Sequence, residues 1–356
     1  MTVLIDRRTP GAPTALTTFA EQEFEQLLVS RDPAGGPRGF IAVHDTSLGP
    51  ALGGVRVRRY PDDETAAADA LRLARAMTYK AALAGLPLGG GKSVINADPR
   101  TEKTAALLAA HGRAIGLLGG RYIPAADMGT GPEDLRVIAQ HTPVVASAER
   151  DPSPSTAAGV VTAMRAVAAR RGHHSLAGLS VAVQGVGNVG RHIVELLRAE
   201  GARTLVDDLD PARVRDAVTR LGALPADGTD VLLADVDLVC PAAAGLVLDA
   251  ERVDRLRAWA VVPAANNALA GDEQALRLRE RGIDYVPDFV ANAGGLISCE
   301  AEIRGVAEFG DRLAVIGRTT AEILAAADAD GVDSLTAATA LADRRLAAAR
   351  DRTARA

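Results

Sequence analysis

Val181-Ala182-Val183-Gln184-Gly185-Val186-Gly187-Asn188-Val189-Gly190 is an apolar run that breaks into glycines. Residues 179–184 read as a buried strand, and 191–200 read as the helix that follows it. Between them the glycines stand in the order G-x-G-x-x-G. The first allows a tight turn, the second lets the backbone approach a pyrophosphate, and the third lets helix and strand pack closely. Exposed N–H groups at the positive end of the helix would then hold the phosphates. By itself this pattern is weak, because glycine runs are common. Its context strengthens it: the next strand, 202–207, ends at Asp207-Asp208, about twenty residues on, where a carboxylate binds the ribose 2′-hydroxyl. Such an acid repels a 2′-phosphate, so Asp208 selects NAD over NADP. Arg203 and Arg213 flank the strand and weigh the other way.

Working outward, residues 237–240, 259–263 and 284–286 are short apolar strands at intervals that fit βα units. The N-terminal half is different. Residues 23–30 and 39–46 read as strands separated by Asp32-Pro33-Ala34-Gly35-Gly36-Pro37. Residues 64–84 carry apolar side chains at helical spacing (Ala67, Ala70, Leu71, Ala74, Met77) and deliver Lys80 near the helix end. Residues 85–91 are expected to be irregular, since three consecutive glycines do not hold a helix. A strand at 93–96, a helix at 101–116 and a strand at 122–125 follow. Asp151-Pro152-Ser153-Pro154-Ser155 reads as a rigid turn before a helix at 156–170, and the chain is expected to be helical from about Ile303 onward. The length, 356 residues, also favours two domains.

Composition excludes several classes. The net charge of −5 offers no basic excess to neutralise phosphates, so nucleic acid is not an expected partner. No run reaches the roughly 18–20 apolar residues that cross a bilayer, so no membrane association is expected. Residues 1–13 hold charges and prolines without an apolar core, which does not resemble a signal peptide, and the expected location is the cytoplasm. The two cysteines, Cys240 and Cys299, sit in apolar runs and read as buried thiols; their number allows neither a disulfide framework nor a cysteine-rich zinc site, and no metal is expected.

The second informative segment is Met77-Thr78-Tyr79-Lys80 through Gly85-Leu86-Pro87-Leu88-Gly89-Gly90-Gly91-Lys92-Ser93. Gly91-Lys92-Ser93 invites a phosphate-loop reading. That pattern needs glycine at Leu86, a strand before and a helix after, and this segment has the reverse order. Two lysines suit another task. A substrate carboxylate needs a fixed cation, and an oxidation through an imine needs an amine whose pKa is lowered enough to move protons. Burial and a neighbouring cation both lower it. A solvated surface lysine is the commoner case, but MTY and GGG flanks on an apolar segment fit it poorly.

Gly49-Pro50-Ala51-Leu52-Gly53-Gly54, MTYK and GLPLGGGK together resemble the Glu/Leu/Phe/Val dehydrogenase family, in its shorter NAD-dependent branch. Asp127-Met128-Gly129-Thr130, Asp151-Pro152-Ser153-Pro154, GVGNVG, Pro241-Ala242-Ala243-Ala244-Gly245, Ala265-Asn266-Asn267 and Pro287 through Gly295 add to the likeness, which runs from roughly Glu23 to Ala340. The resemblance implies an α/β fold: an N-terminal α/β substrate domain plus a Rossmann doubly wound parallel-sheet NAD domain, with a cleft between them. Residues 1–150 would bind substrate and mediate oligomerisation, completed by C-terminal helices 331–356, and 151–330 would bind NAD. It implies reversible oxidative deamination of an L-amino acid to its 2-oxo acid and ammonia, in a homo-oligomer.

By the same resemblance Lys80 holds the substrate carboxylate, Lys92 is the catalytic lysine and Asp127 takes part in proton transfer. Asn266 lies near the amine and the nicotinamide, and Asn292 lines the same site. Thr156 and Ala242 touch the cofactor with Gly185, Val186, Gly187, Asn188, Val189, Gly190 and Asp208. Gly53 belongs with the substrate contacts. The positions facing the substrate side chain correspond to Leu52, Ala125, Leu296 and Cys299. All four are apolar, so a side-chain carboxylate finds no partner and a Leu/Val/Ile-type substrate is expected. In leucine-type members the last two tend to be valines; Leu296 is bulkier and Cys299 about valine-sized.

Three departures stand out. The segment before Asp151 is short (Ala148-Glu149-Arg150), Pro241-Ala242 replaces Pro-Cys, and Met128 stands where valine is frequent. The altered loop keeps open an unusual biosynthetic amino acid as substrate, and an aromatic one (Phe/Trp) stays open because backbone shifts can widen a pocket. An alternative of another class is a catalytically idle NAD-binding protein, against which the joint retention of Lys80, Lys92 and Asp127 speaks.

Overall fold

The computed structural model describes residues 14–31, 36, 38–146, 150–226, 228, 230–243 and 245–355, with side chains to residue 352. Residues 1–13, most of the 32–37 loop, Ala148 and Glu149 of the segment before Asp151, and Ala244 lie outside these. The chain divides into two compact units, Met1–Thr78 with Leu88–Ala148, and Tyr79–Pro87 with Glu149–Ala356.

The first unit contains α1 (Ala15–Glu21), β1 (Gln26–Arg31), β2 (Arg38–Asp45), β3 (Ala51–Arg58), α2 (Asp63–Leu83), β4 (Gly89–Asn96), α3 (Ala105–Gly116), β5 (Tyr122–Ala126) and α4 (Pro132–Ala139). The last turn of α2, from Tyr79, counts with the second unit. Asp63 and Glu64 open α2 and Lys80 lies in its final turn, an arrangement that complements the helix dipole. The sheet runs β1-β2-β4-β3-β5. β1 and β4 pair antiparallel with β2, whereas β4, β3 and β5 are mutually parallel. Alternation along β2 sends Ile41 and Val43 into a core with Leu107, Ile115, Leu135 and Ile138 of α3 and α4. Phe40 and Ala42 go the other way, into a core with Leu71 and Ala74 of α2. Both faces are thus covered by helices.

The glycine triplet departs from the sequence-based expectation. Gly89–Gly91 are not irregular; they open β4, with Gly90 opposite Leu52 of β3 and Asp45 of β2. The reason is close approach. A methyl group on Gly90 would be driven into the backbone of Thr78 and the carbonyl of Ala74, because α2 lies directly on the strand. The chain turns at Gly85, which has φ +65°, and only 84–88 are loop.

The second unit contains α5 (Ser153–Arg170), β6 (Ser180–Gln184), α6 (Asn188–Ala199), β7 (Arg203–Asp207), α7 (Pro211–Leu221), β8 (Leu224–Pro225), β9 (Leu238–Pro241), α8 (Ala250–Arg255), β10 (Ala260–Val261), α9 (Glu273–Glu280), β11 (Asp284–Tyr285), α10 (Asp288–Ala291), α11 (Gly294–Ile303), α12 (Ala314–Asp330) and α13 (Ser334–Arg355). Its strands run β11-β10-β9-β6-β7-β8, all parallel. This is the doubly wound dinucleotide-binding order, which reverses between β6 and β9. Val181–Val183 and Leu238–Cys240 are wholly buried, as central parallel strands covered on both faces must be. Burial pushes the Cys240 thiol up to about 12, so it is a neutral packing group.

Two further readings shift. Asp151-Pro152-Ser153-Pro154 is less a turn than a helix start: the Ser153 N–H donates to the Asp151 carboxylate at 2.9 Å, and Pro154 sits in the first turn of α5, where no intrahelical donor is needed. Ile303 closes α11 rather than opening the helical stretch, which begins again with α12 at Ala314. At the C-terminus, α13 packs on α12, α9 and β11, and Arg345 donates to the carbonyls of Ala82 and Leu83 at 3.1 and 3.0 Å. The end of α2 is thereby tied to the second unit.

Gly90→Ala is expected to lower the thermal midpoint of unfolding by several degrees, a loss of about 1–3 kcal/mol from overpacking. Gly310→Ala is the control, since its added methyl meets nothing within 4 Å. Equal midpoints for the two variants would show that α2 does not bear on β4.

Candidate active site

Lys92 lies on β4 and is 6% exposed. Its ammonium is 2.7 Å from Oδ2 of Asp127, just beyond the end of β5. The same oxygen accepts from Nε of Arg56, on β3, at 3.0 Å. Nη1 of Arg56 reaches on to Asp69 of α2, also at 3.0 Å, and Asp69 accepts from the Tyr60 hydroxyl at 2.6 Å and from Arg72 at 2.7 Å. Burial pulls the Lys92 pKa below the ordinary lysine value despite the pull of Asp127 in the other direction, and Arg56 lowers it further. For Asp127 burial alone would raise the pKa, but Lys92 and Arg56 together outweigh it and hold the carboxylate below its usual range.

The loop after β5 is built to fix Asp127. Its N–H donates to Thr130 Oγ1 at 3.0 Å, and that hydroxyl donates to the Val55 carbonyl at 2.7 Å. Gly129 takes φ +81°, and its carbonyl accepts from Lys103. Behind Lys92, Ser93 bonds the buried His111 ring, whose pKa burial lowers to about 4, so the imidazole is neutral. The Tyr122 hydroxyl donates to the Gly53 carbonyl at 2.6 Å. Leu52, Gly53 and Ala125 lie on the neighbouring parallel strands β3 and β5, with Leu52 and Ala125 buried.

In the second unit the glycine turn has the form the sequence predicts. Gly185 has φ +94°, and a methyl on Gly190 would run into the Gly185 carbonyl, so helix α6 starts hard against β6. Gly187 caps α6 without any side-chain hydrogen bond, and among the described residues only Arg213 Nη1, at 3.4 Å, comes near an added methyl. The cradle fits a pyrophosphate: among the described residues, room over Gly187 and a start of α6 without a side-chain cap. The Asp208 carboxylate accepts from the Val186 N–H at 2.9 Å and has Arg213 3.8 Å away. Ala242 donates its N–H to the Gln184 carbonyl at 2.8 Å, beside the turn.

Asn292 donates to Asn266 Oδ1 at 2.8 Å and to the Ala264 carbonyl at 3.1 Å, which brings those two expected site residues together. Asn292 Oδ1 is buried and bonds to none of the described residues. The Thr156 hydroxyl turns back to the Pro152 carbonyl at 3.0 Å and lies where a side chain on Gly295 would be. Leu296 and Cys299 are buried one helical turn apart on α11. Lys80, half-buried, belongs to the second unit whereas Lys92 belongs to the first; its charge partly offsets the burial that raises the Asp288 pKa. Asp288 also accepts the Asn267 N–H, which holds the Asn266-Asn267 bend where Asn267 has φ +53°.

Arg56, Asp69 and Asp288 were not singled out in the sequence. Arg56 follows Gly53-Gly54 by two residues and so lies on the same strand face as Gly54, where Asp127 packs. Recognising β3 as a strand beside β5 would have pointed to it.

Family models match most of the chain. The "Glu/Leu/Phe/Val dehydrogenase, dimerisation domain" model matches residues 27–144, and the "Glutamate/Leucine/Phenylalanine/Valine dehydrogenase" model matches 150–208 and 213–353. Leucine dehydrogenase of Bacillus cereus is 40% identical over 334 residues, 91% of each chain. Valine dehydrogenase of Streptomyces albus is 42% identical over 361 aligned positions, covering 96% of this chain and 98% of that one. The crystal structure of L-tryptophan dehydrogenase from Nostoc punctiforme superposes with a TM-score of 0.84 at 37% identity, covering 94% of this chain and 99% of the other. With a paired buried lysine in one unit and a dinucleotide turn in the other, this chain belongs to the Glu/Leu/Phe/Val dehydrogenase family and is an NAD-dependent amino-acid dehydrogenase.

Proposed function

We propose that the chain oxidises a small apolar L-amino acid of the Leu/Val/Ile type to its 2-oxo acid and ammonia, and runs the reverse reductive amination. The observation that carries this reading is the buried Lys92 ammonium against Asp127, a lysine whose pKa is pulled down toward the range where an amine can act as a base. NAD, when bound, accepts the hydride from the substrate α-carbon, and Gly185, Val186, Gly187, Asn188, Val189, Gly190, Asp208, Ala242 and Thr156 are the residues assigned to hold it. Lys80 takes the substrate carboxylate. Asn266 and Asn292 orient the amine. The substrate is left as an imine. Lys92 then removes a proton from the water that adds to the imine carbon. As the resulting carbinolamine collapses, the C–N bond breaks, Asp127 relays to the departing ammonia the proton that Lys92 took from water, and the hydroxyl proton passes to the Lys92 amine as the carbonyl forms. Residues 1–150 are assigned to substrate and oligomer contacts and 151–330 to NAD.

Leu52, Ala125, Leu296 and Cys299 are the residues assigned to the substrate side chain. All are buried and apolar, and none pairs with a γ-carboxylate, which argues against glutamate. Relatives that act on leucine and valine support the aliphatic reading. The likeness to the tryptophan dehydrogenase structure favours a second one, an aromatic substrate, because apolar side chains select a substrate side chain by size alone. A homo-oligomer is in keeping with the dimerisation description of the N-terminal family model. Among the described residues no helix is long and apolar enough to cross a membrane, and we place the enzyme in the cytoplasm.

NADH formation at alkaline pH with each L-amino acid separates the two substrate readings. Valine, leucine and isoleucine are expected to lead; phenylalanine or tryptophan in front would transfer the pocket to the aromatic reading. Lys92→Ala is expected to lose at least about 10²-fold in kcat while NAD still binds by calorimetry, and turnover near the wild-type rate would remove Lys92 from the role of base. Asp208→Ser should shift the NAD/NADP preference toward NADP, since Arg213 stays while the repelling carboxylate goes. An unchanged ratio would mean that another group reads the ribose.

A further inference from the structure

Asp127 has two cationic partners, and both bond the same oxygen. Lys92 approaches Oδ2 from β4 at 2.7 Å and Arg56 approaches it from β3 at 3.0 Å. We propose that Arg56 is a positioning residue for the reaction: it shares Asp127 with Lys92, and so keeps the Lys92 amine from being locked as an ammonium. This rests on the reading of Lys92 as base and Asp127 as its proton partner.

The geometry leaves Arg56 little freedom. Its Nε is committed to Asp127 and its Nη1 to Asp69, so the guanidinium bridges the loop after β5 and helix α2. Asp69 is held in turn by Tyr60 and Arg72. Arg56 and both carboxylates have side chains only 13–21% exposed, so their charges act at short range with limited screening. The groups facing Lys92 and Asp127 are Arg56 from β3, Asp69 from α2 with Tyr60 and Arg72 behind it, Tyr122 from β5 and the backbone N–H of Met128.

The charge count decides the sign. Lys92 and Arg56 face Asp127 and Asp69, two positive against two negative. Removing Arg56 leaves Lys92 among two carboxylates, which favours its charged form. Removing Asp69 does the reverse, because a carboxylate is lost and both cations remain. In agreement, Arg56 lowers and Asp69 raises the Lys92 pKa.

A base that stays protonated to higher pH moves the acidic limb of activity upward. The test is kcat/KM for oxidative deamination of leucine against pH, for the full-length wild type, Arg56→Met, Arg56→Lys and Asp69→Asn. The substrate's own amine titrates identically in all four. Arg56→Met is expected to shift the acidic limb to higher pH, with a loss of about tenfold or more near neutrality that recovers at alkaline pH. Arg56→Lys should restore most of the profile, and Asp69→Asn should shift the limb to lower pH, opposite in sign. If Arg56→Met or Asp69→Asn lowers activity by one factor at every pH, or both shift the limb the same way, the inference is overturned. Lys92→Ala and Asp127→Asn are assayed alongside. If these two retain activity, the reading of the base itself fails; if they are inactive while the Arg56 and Asp69 variants leave the limb in place, only the role of Arg56 fails.

Discussion

A lysine ammonium 6% exposed would be costly without compensation, and the first unit is organised around supplying it. The partner carboxylate comes from the loop after β5, the competing guanidinium from β3, and the lysine from β4. Three parallel neighbours in one sheet give these groups fixed separations that loops would not. The glycines serve the same end. Gly90 lets α2 lie on β4, and α2 carries Asp69, the anchor for Arg56. Placing a titratable amine in a dry, shared ion cluster lowers its pKa and keeps it paired, which are the two properties a buried base needs.

The second unit solves a simpler problem by a more repetitive route. Six parallel strands reverse direction of winding beside β6, and the turn after β6 leaves helix N–H groups without side-chain caps. Here the backbone is what the proposed site offers, and Asp208, the acid assigned to the ribose, accepts from the backbone N–H of Val186. Asn292 and Asn266 form a third local device, in which Asn292 donates to Asn266 while its own amide oxygen bonds to none of the described residues.

That difference explains what could be read from the sequence. A backbone-driven site needs glycines at fixed spacing, so the turn at Gly185–Gly190, its strand and helix, and Asp208 were all legible from local pattern. Lys92 was legible from its glycine-rich flanks, but Asp127 only through resemblance, because their contact joins segments 35 residues apart in the chain. Arg56 was not legible at all. β3 begins Ala51-Leu52-Gly53-Gly54, and glycine pairs ordinarily argue against a strand. The triplet Gly89–Gly91 misled for the same reason. In both places close packing by neighbouring elements, which no local propensity records, requires glycine inside a strand. The start of α5 shows the converse case: Pro152 and Pro154 look like turn residues, yet the first turn of a helix tolerates proline because its N–H groups need no intrahelical partner.

Selectivity is of another kind again. The groups assigned to the chemistry are charged or amide side chains, and Lys92, Asp127, Asn266 and Asn292 are bonded to one another in pairs, so a change in one is felt by its partner. Leu52, Ala125, Leu296 and Cys299 are buried and sit on regular elements, β3, β5 and α11. Exchanging one apolar group for another there alters volume without unpairing a polar atom, at a cost of about 1–3 kcal/mol or less per methylene. On the proposed assignment of these four residues, substrate preference can drift while the ion cluster and the glycine turn stay intact. Relatives named for leucine, valine and tryptophan at about 40% identity to one chain are what such a division of labour produces.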